Sequence, residues 1–190
     1  YKNGNKKFLA TYINGKLNGK YIRWFEGGII KELDGDYLNN KKHNKWVFWA
    51  KNGQKIEEIN YENGVHHGSH IKWYDDKNDQ HKSFHVNYKK GAKNGDWHYW
   101  YASGKDSLKS TYLDGEKDGH WVWWRKNGLK DKEGFYKKGK KHGVWTMWND
   151  SSGIAYHKLH EETFVNDIID GKVTKWYKEG GLDRQGVMRG

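Results

Sequence analysis

The sequence predicts an all-β fold, an elongated, single-layer, twisted antiparallel sheet of tandem β-hairpin repeats. Three observations support this fold. A phrase of aromatic, glycine and tryptophan residues recurs at intervals of 24 to 28 residues. Glycine, replaced only by Asn or Asp, occupies two fixed turn positions in each copy. The intervening segments are rich in Trp, Tyr and Val, and the chain has no proline. A fixed period indicates stacked repeats, and aromatic segments without proline suit β-strands.

Each repeat opens with an aromatic residue. The seven opening residues are Tyr12, Tyr37, Tyr61, Tyr88, Tyr112, Tyr136 and Phe164. We therefore expect residues 1–190 to form one continuous array of about seven repeats. The array begins and ends in mid-pattern, so we expect it to be truncated mid-repeat at both ends.

A tryptophan column follows twelve residues after each opening aromatic residue. Its members are Trp24, Trp49, Trp73, Trp100, Trp124, Trp148 and Trp176. A tryptophan in every copy indicates a structural role within the repeat. Since so few residues are aliphatic, buried surface must come mostly from aromatic rings, each of which can bury about 150–250 Å².

Three further positions are predicted to be turns. Three residues after the opening aromatic residue come Gly15, Asn40, Gly64, Gly91, Gly115, Gly139 and Asp167. Seven residues after it come Gly19, Asn44, Gly68, Gly95, Gly119, Gly143 and Gly171. A third glycine stands at Gly28, Gly53, Gly104, Gly128, Gly153 and Gly180. Asn and Asp are the residues that best tolerate a positive φ after glycine, so the first two positions require a left-handed backbone.

Strands are predicted between these turns. Asp96–Tyr101 and His120–Trp124 are dense in Trp, Tyr and Val, while Ser107–Tyr112 and Lys130–Tyr136 are more polar. Two antiparallel strands per repeat would give about fourteen strands, spaced by about 4.8 Å. No segment shows helical periodicity with capping residues.

Composition excludes several classes of protein. The chain has 34% hydrophobic and 16% aromatic residues and no cysteine, so disulfides and cysteine-based metal or redox sites are excluded. No apolar run approaches the length of a transmembrane segment. The net charge of +11 favours anionic partners, although no specific nucleic-acid motif is present. The sequence does not indicate the cellular compartment.

The repeat resembles the MORN repeat. The segments that carry the resemblance are Tyr88–Trp97 and Tyr136–Trp145, each with two glycines four residues apart followed by tryptophan. The resemblance covers essentially the whole chain and is closest to the bacterial variant with Trp-x-x-Trp. The repeats at Tyr61 and Phe164 depart most. The resemblance implies a β-hairpin sheet and a scaffold role, with bacterial relatives often labelled antitoxin-like, immunity-like or surface-interacting.

Large side chains are predicted on both faces of the sheet. By strand alternation, the tryptophan column shares a face with Ile22, Val47, Ile71 and Val122, and we expect the core there. The opposite side, here called the aromatic face, carries Trp46, Phe48, Trp97, Tyr99, Trp121, Trp123, Trp145 and Met147. Exposed, it would mark a binding surface. If neighbouring strands curl, both faces are buried instead, and the sequence leaves this open.

A second candidate surface is a row of basic residues in the turns, here called the lysine stripe. It comprises Lys41, Lys42, Lys45, Lys89, Lys90, Lys93, Lys137, Lys138, Lys140 and Lys141. Stacked repeats would align these side chains along one edge of the sheet. The stripe could bind an extended anion, or its lysines could simply protect the sheet edge from aggregation.

Catalytic and metal sites are not indicated. No serine lies in a Gly-x-Ser-x-Gly elbow, and no phosphate-binding glycine loop precedes a helix. His66, His67 and His70 are close in sequence, but positions 67 and 70 of a strand face opposite ways. We expect a protein that is not an enzyme, with no catalytic residues, cofactor or metal.

The expected function is therefore a non-catalytic scaffold that binds a protein partner, in an antitoxin-like, immunity-like or surface role implied by the resemblance. One alternative is a binder of anionic lipid or another polyanion through the lysine stripe. Another is binding of glycan or cell wall on an aromatic ladder.

Overall fold

The computed structural model describes residues 1–74, 81–150 and 155–190, so the predicted turn at Gly153 lies outside the described residues. Within them the chain has sixteen β-strands. The strands are β1 (Phe8–Ile13), β2 (Lys16–Trp24), β3 (Lys31–Leu38), β4 (Lys41–Trp49), β5 (Lys55–Glu62), β6 (Val65–Trp73), β7 (Lys82–Lys89), β8 (Ala92–Trp100), β9 (Asp106–Leu113), β10 (Glu116–Lys117), β11 (Gly119–Trp124), β12 (Lys130–Lys137), β13 (Lys140–Trp148), β14 (Lys158–Val165), β15 (Ile168–Trp176) and β16 (Leu182–Met188). No helix long and apolar enough to cross a membrane occurs in the part of the chain that the structure describes.

All strands belong to one antiparallel sheet whose order follows the chain from β1 to β16. The two-residue strand β10 lies beside the main path and pairs with β9, which also pairs with β11. In the described pairings, β1 contacts only β2 and β16 contacts only β15, so the sheet is open. The predicted all-β, single-sheet hairpin fold is confirmed.

The first hairpin of each repeat has a two-residue turn. In the second repeat Leu38 pairs with Lys41, and both intervening residues, Asn39 and Asn40, have positive φ values of 49° and 65°. Two consecutive left-handed residues define the type I′ turn, whose twist matches that of the flanking strands. The predicted left-handed backbone is found at all seven first-turn positions, including Asp167 with φ of 72°.

The second glycine position lies at a β-bulge. In β3 and β4 the register jumps between Asp34 and Asp36, and Asn44 in the facing segment has a φ of 58°. Three residues of β4 thus oppose one residue of β3. Left-handed residues commonly accommodate such bulges, which bend the strand and increase its twist. The predicted left-handed backbone is confirmed at this position too, as at Gly95, Gly119 and Gly143.

The tryptophan column marks the end of a strand in each repeat. Trp49 is the last residue of β4, and a second register shift separates it from Phe48. The other members end β2, β6, β8, β11, β13 and β15. A longer turn follows, closed in the second repeat by a hydrogen bond from the Gly53 amide to the Ala50 carbonyl at 2.9 Å.

The chain forms two compact units, Tyr1–Lys93 and Asn94–Gly190. The buried apolar residues of the first unit are Leu33, Trp46, Ile59 and Val86, and those of the second are Trp97, Trp121, Val122, Trp145, Phe164 and Val173. The prediction that the core lies beside the tryptophan column is wrong, because only Val122 of that set is buried. The core lies mainly on the aromatic face.

Candidate partner-binding face

The first tryptophan of the aromatic face is anchored to the backbone of the preceding strand. Its indole N–H donates a hydrogen bond to the carbonyl of the residue before the opening aromatic residue. The Nε1-to-oxygen distances are 3.0 Å from Trp46 to Asp36, 3.1 Å from Trp121 to Thr111 and 3.1 Å from Trp145 to Phe135. A buried indole N–H needs such a partner, and the bond fixes the ring against the sheet.

A small residue lies under each of these anchored rings. A Cβ atom at Gly35 would lie 2.3 Å from the ring of Trp46, and one at Gly134 would lie 2.2 Å from the ring of Trp145. Ser110, only 4% exposed, occupies the equivalent position before Tyr112. In these three repeats the indole therefore lies almost directly on the backbone, and a small residue occupies the position two before the opening aromatic residue.

Burial divides the aromatic face into two rows. Trp46, Trp97, Trp121 and Trp145 are between 1% and 7% exposed and form the core row. Phe48, Tyr99 and Trp123 are half-buried, and Met147 is 47% exposed. The sequence left the exposure of this face open. The structure leaves only the second row accessible to a partner.

In the second unit this accessible row borders a groove of about 260 Å³. The residues that line it are Trp123, Lys132, Tyr136, Lys141, Trp145, Met147, His160, Glu162 and Phe164. The ring of Trp123 lies 5.9 Å from that of Trp145, centroid to centroid. The floor of the groove is thus the fixed core row, and its rim combines apolar, cationic and anionic groups.

Three lysines extend over the core rings from the same repeat position, five residues after the opening aromatic residue. Each is half-buried and bridges its own indole and the opening ring of the next repeat. The Nζ-to-centroid distances are 4.5 Å and 5.1 Å from Lys42 to Trp46 and Tyr61, 4.9 Å and 4.7 Å from Lys117 to Trp121 and Tyr136, and 4.6 Å from Lys141 to both Trp145 and Phe164. Burial lowers the pKa of Lys42, partly offset by the charge of Glu57.

The predicted lysine stripe is therefore not a single feature. Lys42 and Lys141 cover core rings, and the structure adds Lys117, which the sequence analysis missed. The other members have exposed side chains at or near turns: Lys41, Lys45, Lys89, Lys90, Lys93, Lys137, Lys138 and Lys140. Of these, Lys93 occupies the same repeat position as Lys42 and Lys141 and also has an interaction partner. Among these, Lys45 lies 3.7 Å from the carboxylate of Glu58.

The opposite side of the sheet, here called the charged face, carries a ladder of ion pairs. A lysine pairs with the acid three residues later in four repeats, with distances of 2.6 Å for Lys31–Asp34, 2.5 Å for Lys55–Glu58, 2.9 Å for Lys130–Glu133 and 2.6 Å for Lys158–Glu161. In the repeat of Tyr112 the order is reversed, as Asp106 and Lys109, at 2.7 Å. These lysines also cover the tryptophan column, as Lys130 does Trp148 at 5.5 Å.

The ion pairs hold their carboxylates in the charged form. Burial acts to raise the pKa of Asp34, but hydrogen bonds and charge from Lys20 and Lys31 outweigh it, so the net pKa is below its ordinary value. Lys20 Nζ lies 2.8 Å from the Asp34 carboxylate on the side away from Lys31. The charged face is therefore largely neutralised within the sheet.

The repeat of Tyr61 replaces the core indole with His70. Its Nε2 lies 2.8 Å from the carboxylate of Glu57, a contact that is the main cause of the lowered pKa of Glu57. His66 takes the position of the ring-covering lysine, with its ring 4.9 Å from that of Tyr61 and 5.0 Å from that of Tyr88. Burial lowers the pKa of His66, with the nearby charges of His70 and Lys42 acting in the same direction.

Polar residues of the first hairpin connect neighbouring repeats. His43 Nδ1, Asn94 Oδ1 and Asp118 Oδ2 each accept a backbone N–H from the turn of the next repeat, at 3.4, 3.3 and 3.1 Å. Across residues 1–74, 81–150 and 155–190, no group of three His, Cys, Asp or Glu side chains is arranged to hold a metal ion. His43, in β4, thus has a structural partner in the backbone of Asn63.

Comparison with known proteins adds no assignment. No protein-family model matches the chain, and no curated protein matches it in sequence. The resemblance to MORN repeats stays an expectation drawn from the sequence motifs.

Proposed function

We propose that the chain is a non-catalytic repeat scaffold that binds a protein partner on the aromatic face of its second unit. The observation that carries the proposal is the groove in which exposed Met147 and half-buried Trp123 stand above the fixed indole of Trp145. Methionine and aromatic rings are enriched where proteins bind other proteins.

The rigidity of the floor supports the same proposal. The indole of Trp145 is held by its bond to the Phe135 carbonyl and by contact with Gly134, so it does not need to be ordered on binding. A surface that is already ordered pays less conformational entropy when a partner docks. The resemblance to MORN repeats agrees with a scaffold role, including the antitoxin-like or immunity-like version.

A test combines capture with one pair of matched variants. Met147 and Val144 are both 47% exposed, lie three residues apart in β13 and point to opposite faces. Proteins captured from the producing organism would be washed at about 0.05 M and about 0.5 M salt, and any retained protein purified and titrated by calorimetry. We expect near-stoichiometric binding that survives both washes.

The variants then decide whether the aromatic face is responsible. Met147→Asp should weaken this binding at least about tenfold, because it places a charge in the apolar part of the interface. Val144→Asp should change the affinity by less than about twofold. Equal effects of the two substitutions, or the absence of any protein retained at high salt, would contradict the proposal.

A second candidate function is binding of anionic lipid or another polyanion through the turn lysines. The observation in its favour is the exposed cluster of Lys137, Lys138 and Lys140, for which the described residues provide no ion pair. Sedimentation with phosphatidylserine vesicles should then fall steeply with salt and be abolished by changing these three residues to Glu. Glycan stacking has less support, since the four core indoles are buried.

A further inference from the structure

The lysines of the two faces differ in their partners. On the charged face, Lys130 and Lys158 each contact a carboxylate within 2.9 Å. On the aromatic face of the second unit, Lys117, Lys132 and Lys141 contact rings instead, and none of the three forms an ion pair with a described residue. In the second unit the fold thus neutralises the charged face internally and leaves these three lysines of the aromatic face without counter-ions among the described residues.

Lys132 and Lys141 line the groove described above, and Lys117 lies next to it. Lys132 Nζ lies 4.9 Å from the ring of Trp123, and Lys141 Nζ lies over Trp145 and Phe164 at the opposite wall. Lys117 lies over Tyr136, which lines the groove. The one carboxylate of the lining, Glu162, is already 3.3 Å from His160.

From this arrangement we infer that the partner docks with an acidic protein segment, in which carboxylates flank an apolar side chain. The carboxylates would pair with Lys117, Lys132 and Lys141, and the apolar side chain would contact Met147 and Trp123. Half-buried ammonium groups already stacked on rings lose little further solvation on pairing, and the ring contact alone supplies only about 0.5–1 kcal/mol per cation at exposed sites.

The groove favours a protein segment over a phosphate polymer. A polyphosphate or headgroup surface would bring no apolar group to Met147 and Trp123. An acidic peptide with an apolar side chain satisfies both parts of the groove. The inference rests on the proposed function and names the chemistry of the partner.

The fold itself supplies variants that should not unfold the chain. Other repeats place leucine at the positions in question, Leu17 at that of Lys117 and Lys141, and Leu33 and Leu108 at that of Lys132. The face variant is therefore Lys117→Leu, Lys132→Leu and Lys141→Leu. The control variant, Lys137→Leu, Lys138→Asn and Lys140→Val, also uses residues found at those positions in other repeats and removes the same number of charges.

The probes are labelled twelve-residue peptides of three kinds: alternating Glu and Leu, alternating Glu and Ser, and alternating Gln and Leu. Binding would be measured by fluorescence anisotropy at about 0.15 M salt, with circular dichroism and the unfolding midpoint of each variant as folding controls. We expect the Glu–Leu peptide to bind most tightly. The face variant should weaken this binding at least about tenfold and the control variant by less than about twofold.

Several outcomes would overturn the inference. They are equal binding of the Glu–Ser peptide, tighter binding of the Gln–Leu peptide, equal loss in both variants, and preference for heparin or phosphatidylserine vesicles with dependence on the control positions. Should the face variant fail to fold, the single change Lys132→Leu replaces it. If a captured partner requires Met147 but none of the three lysines for binding, the proposed function stands and the acidic segment is rejected.

Discussion

Among the described glycines, an added Cβ would come closest to another group at Gly35 and Gly134, where it would meet an indole ring. The Trp46 ring is held next to Gly35, because its N–H donates a hydrogen bond to the carbonyl of Asp36, the residue that follows Gly35 in the strand. The same arrangement recurs at Gly134 and Trp145. Stability of the hairpin thus depends on the absence of one methyl group at these positions.

We predict that Gly35→Ala destabilises the fold by about 1–3 kcal/mol, the usual cost of inserting a methyl group into a filled core. Gly27→Ala is the matched control, because its added Cβ would meet nothing within 4 Å. Urea unfolding followed by circular dichroism would measure both. A Gly35→Ala midpoint equal to that of the control would show that the ring is free to shift.

A second prediction at the residue scale concerns His66 and the groups that face it, Lys42, Glu57, His70 and two tyrosine rings. Burial first, then the charges of His70 and Lys42, lower its pKa from the ordinary value of 6.5. The unfolded chain therefore binds a proton more readily than the folded chain. Stability should fall as the pH decreases below about 6.5, and this loss continues down to the lower pKa of the folded state.

The test compares urea midpoints at about pH 7.5 and about pH 5.5 for the natural chain and for His66→Leu. Leucine is the residue that the first repeat has at this position, as Leu17. The variant should show a smaller loss of stability on acidification, because its side chain does not titrate. An unchanged pH dependence would place the effect on other groups.

At the scale of the hairpin, the two residues that replace glycine in the first turn, Asn40 and Asp167, adopt a left-handed backbone and also form side-chain hydrogen bonds. Asn40 Oδ1 accepts the Leu17 N–H at 2.7 Å, and Asp167 Oδ1 accepts the Lys141 N–H at 2.7 Å. The backbone N–H of Asn40 also donates a hydrogen bond to the Leu17 carbonyl at 2.9 Å. Each of these turns is therefore bound twice to the preceding repeat.

We predict that Asn40→Gly keeps the turn but loses about 0.5–1.5 kcal/mol, the net value of one intramolecular hydrogen bond. Asn40→Asp should retain that stability, since Asp167 already makes the same bond elsewhere in the chain. Amide hydrogen exchange at Leu17 should accelerate in the glycine variant alone. Equal protection in both variants would mean that the side-chain bond contributes nothing.

The turns were predicted correctly from the sequence, because a backbone with positive φ selects glycine, Asn or Asp at these positions. Strand alternation separated the two faces correctly, since lysines of the charged face cover the tryptophan column, but the core was assigned to the wrong one, the face with a tryptophan in every repeat. The core face is marked only by the small residue opposite the indole, Gly35 or Gly134. That residue can be recognised only when it is known which strands pair.

The lysines could have been sorted from the sequence by column. Lys31 and Lys130 precede an acid by three residues, whereas the column of Lys42, Lys117 and Lys141 has no acid at a fixed offset. Once the repeats are aligned, that difference distinguishes the lysines that form ion pairs from the lysines that cover rings. The lysine stripe was instead defined by sequence proximity, which joined groups from different environments.

At the scale of the whole molecule, pairing is local throughout. Strands pair with the strands before and after them in sequence, so contacts join residues that are close along the chain. In repeat proteins of this kind, stability is approximately a sum over repeats and their neighbouring interfaces. Removing strands from one end should then leave the remaining pairings intact.

The last prediction follows from this locality. A fragment of residues 82–190 retains β7 to β16 and the whole groove at Trp123 and Met147, whereas a fragment of residues 1–74 retains β1 to β6 and lacks it. We expect both to fold, and only residues 82–190 to bind the Glu–Leu peptide with the affinity of the full chain.

If the full chain unfolds cooperatively, the urea m-value of residues 82–190 should be roughly 0.6 of the full-length value, since m scales with the surface exposed on unfolding. An unfolded spectrum for this fragment would show that the groove depends on strands far from it in sequence, and peptide binding by residues 1–74 would place the interface outside the second unit.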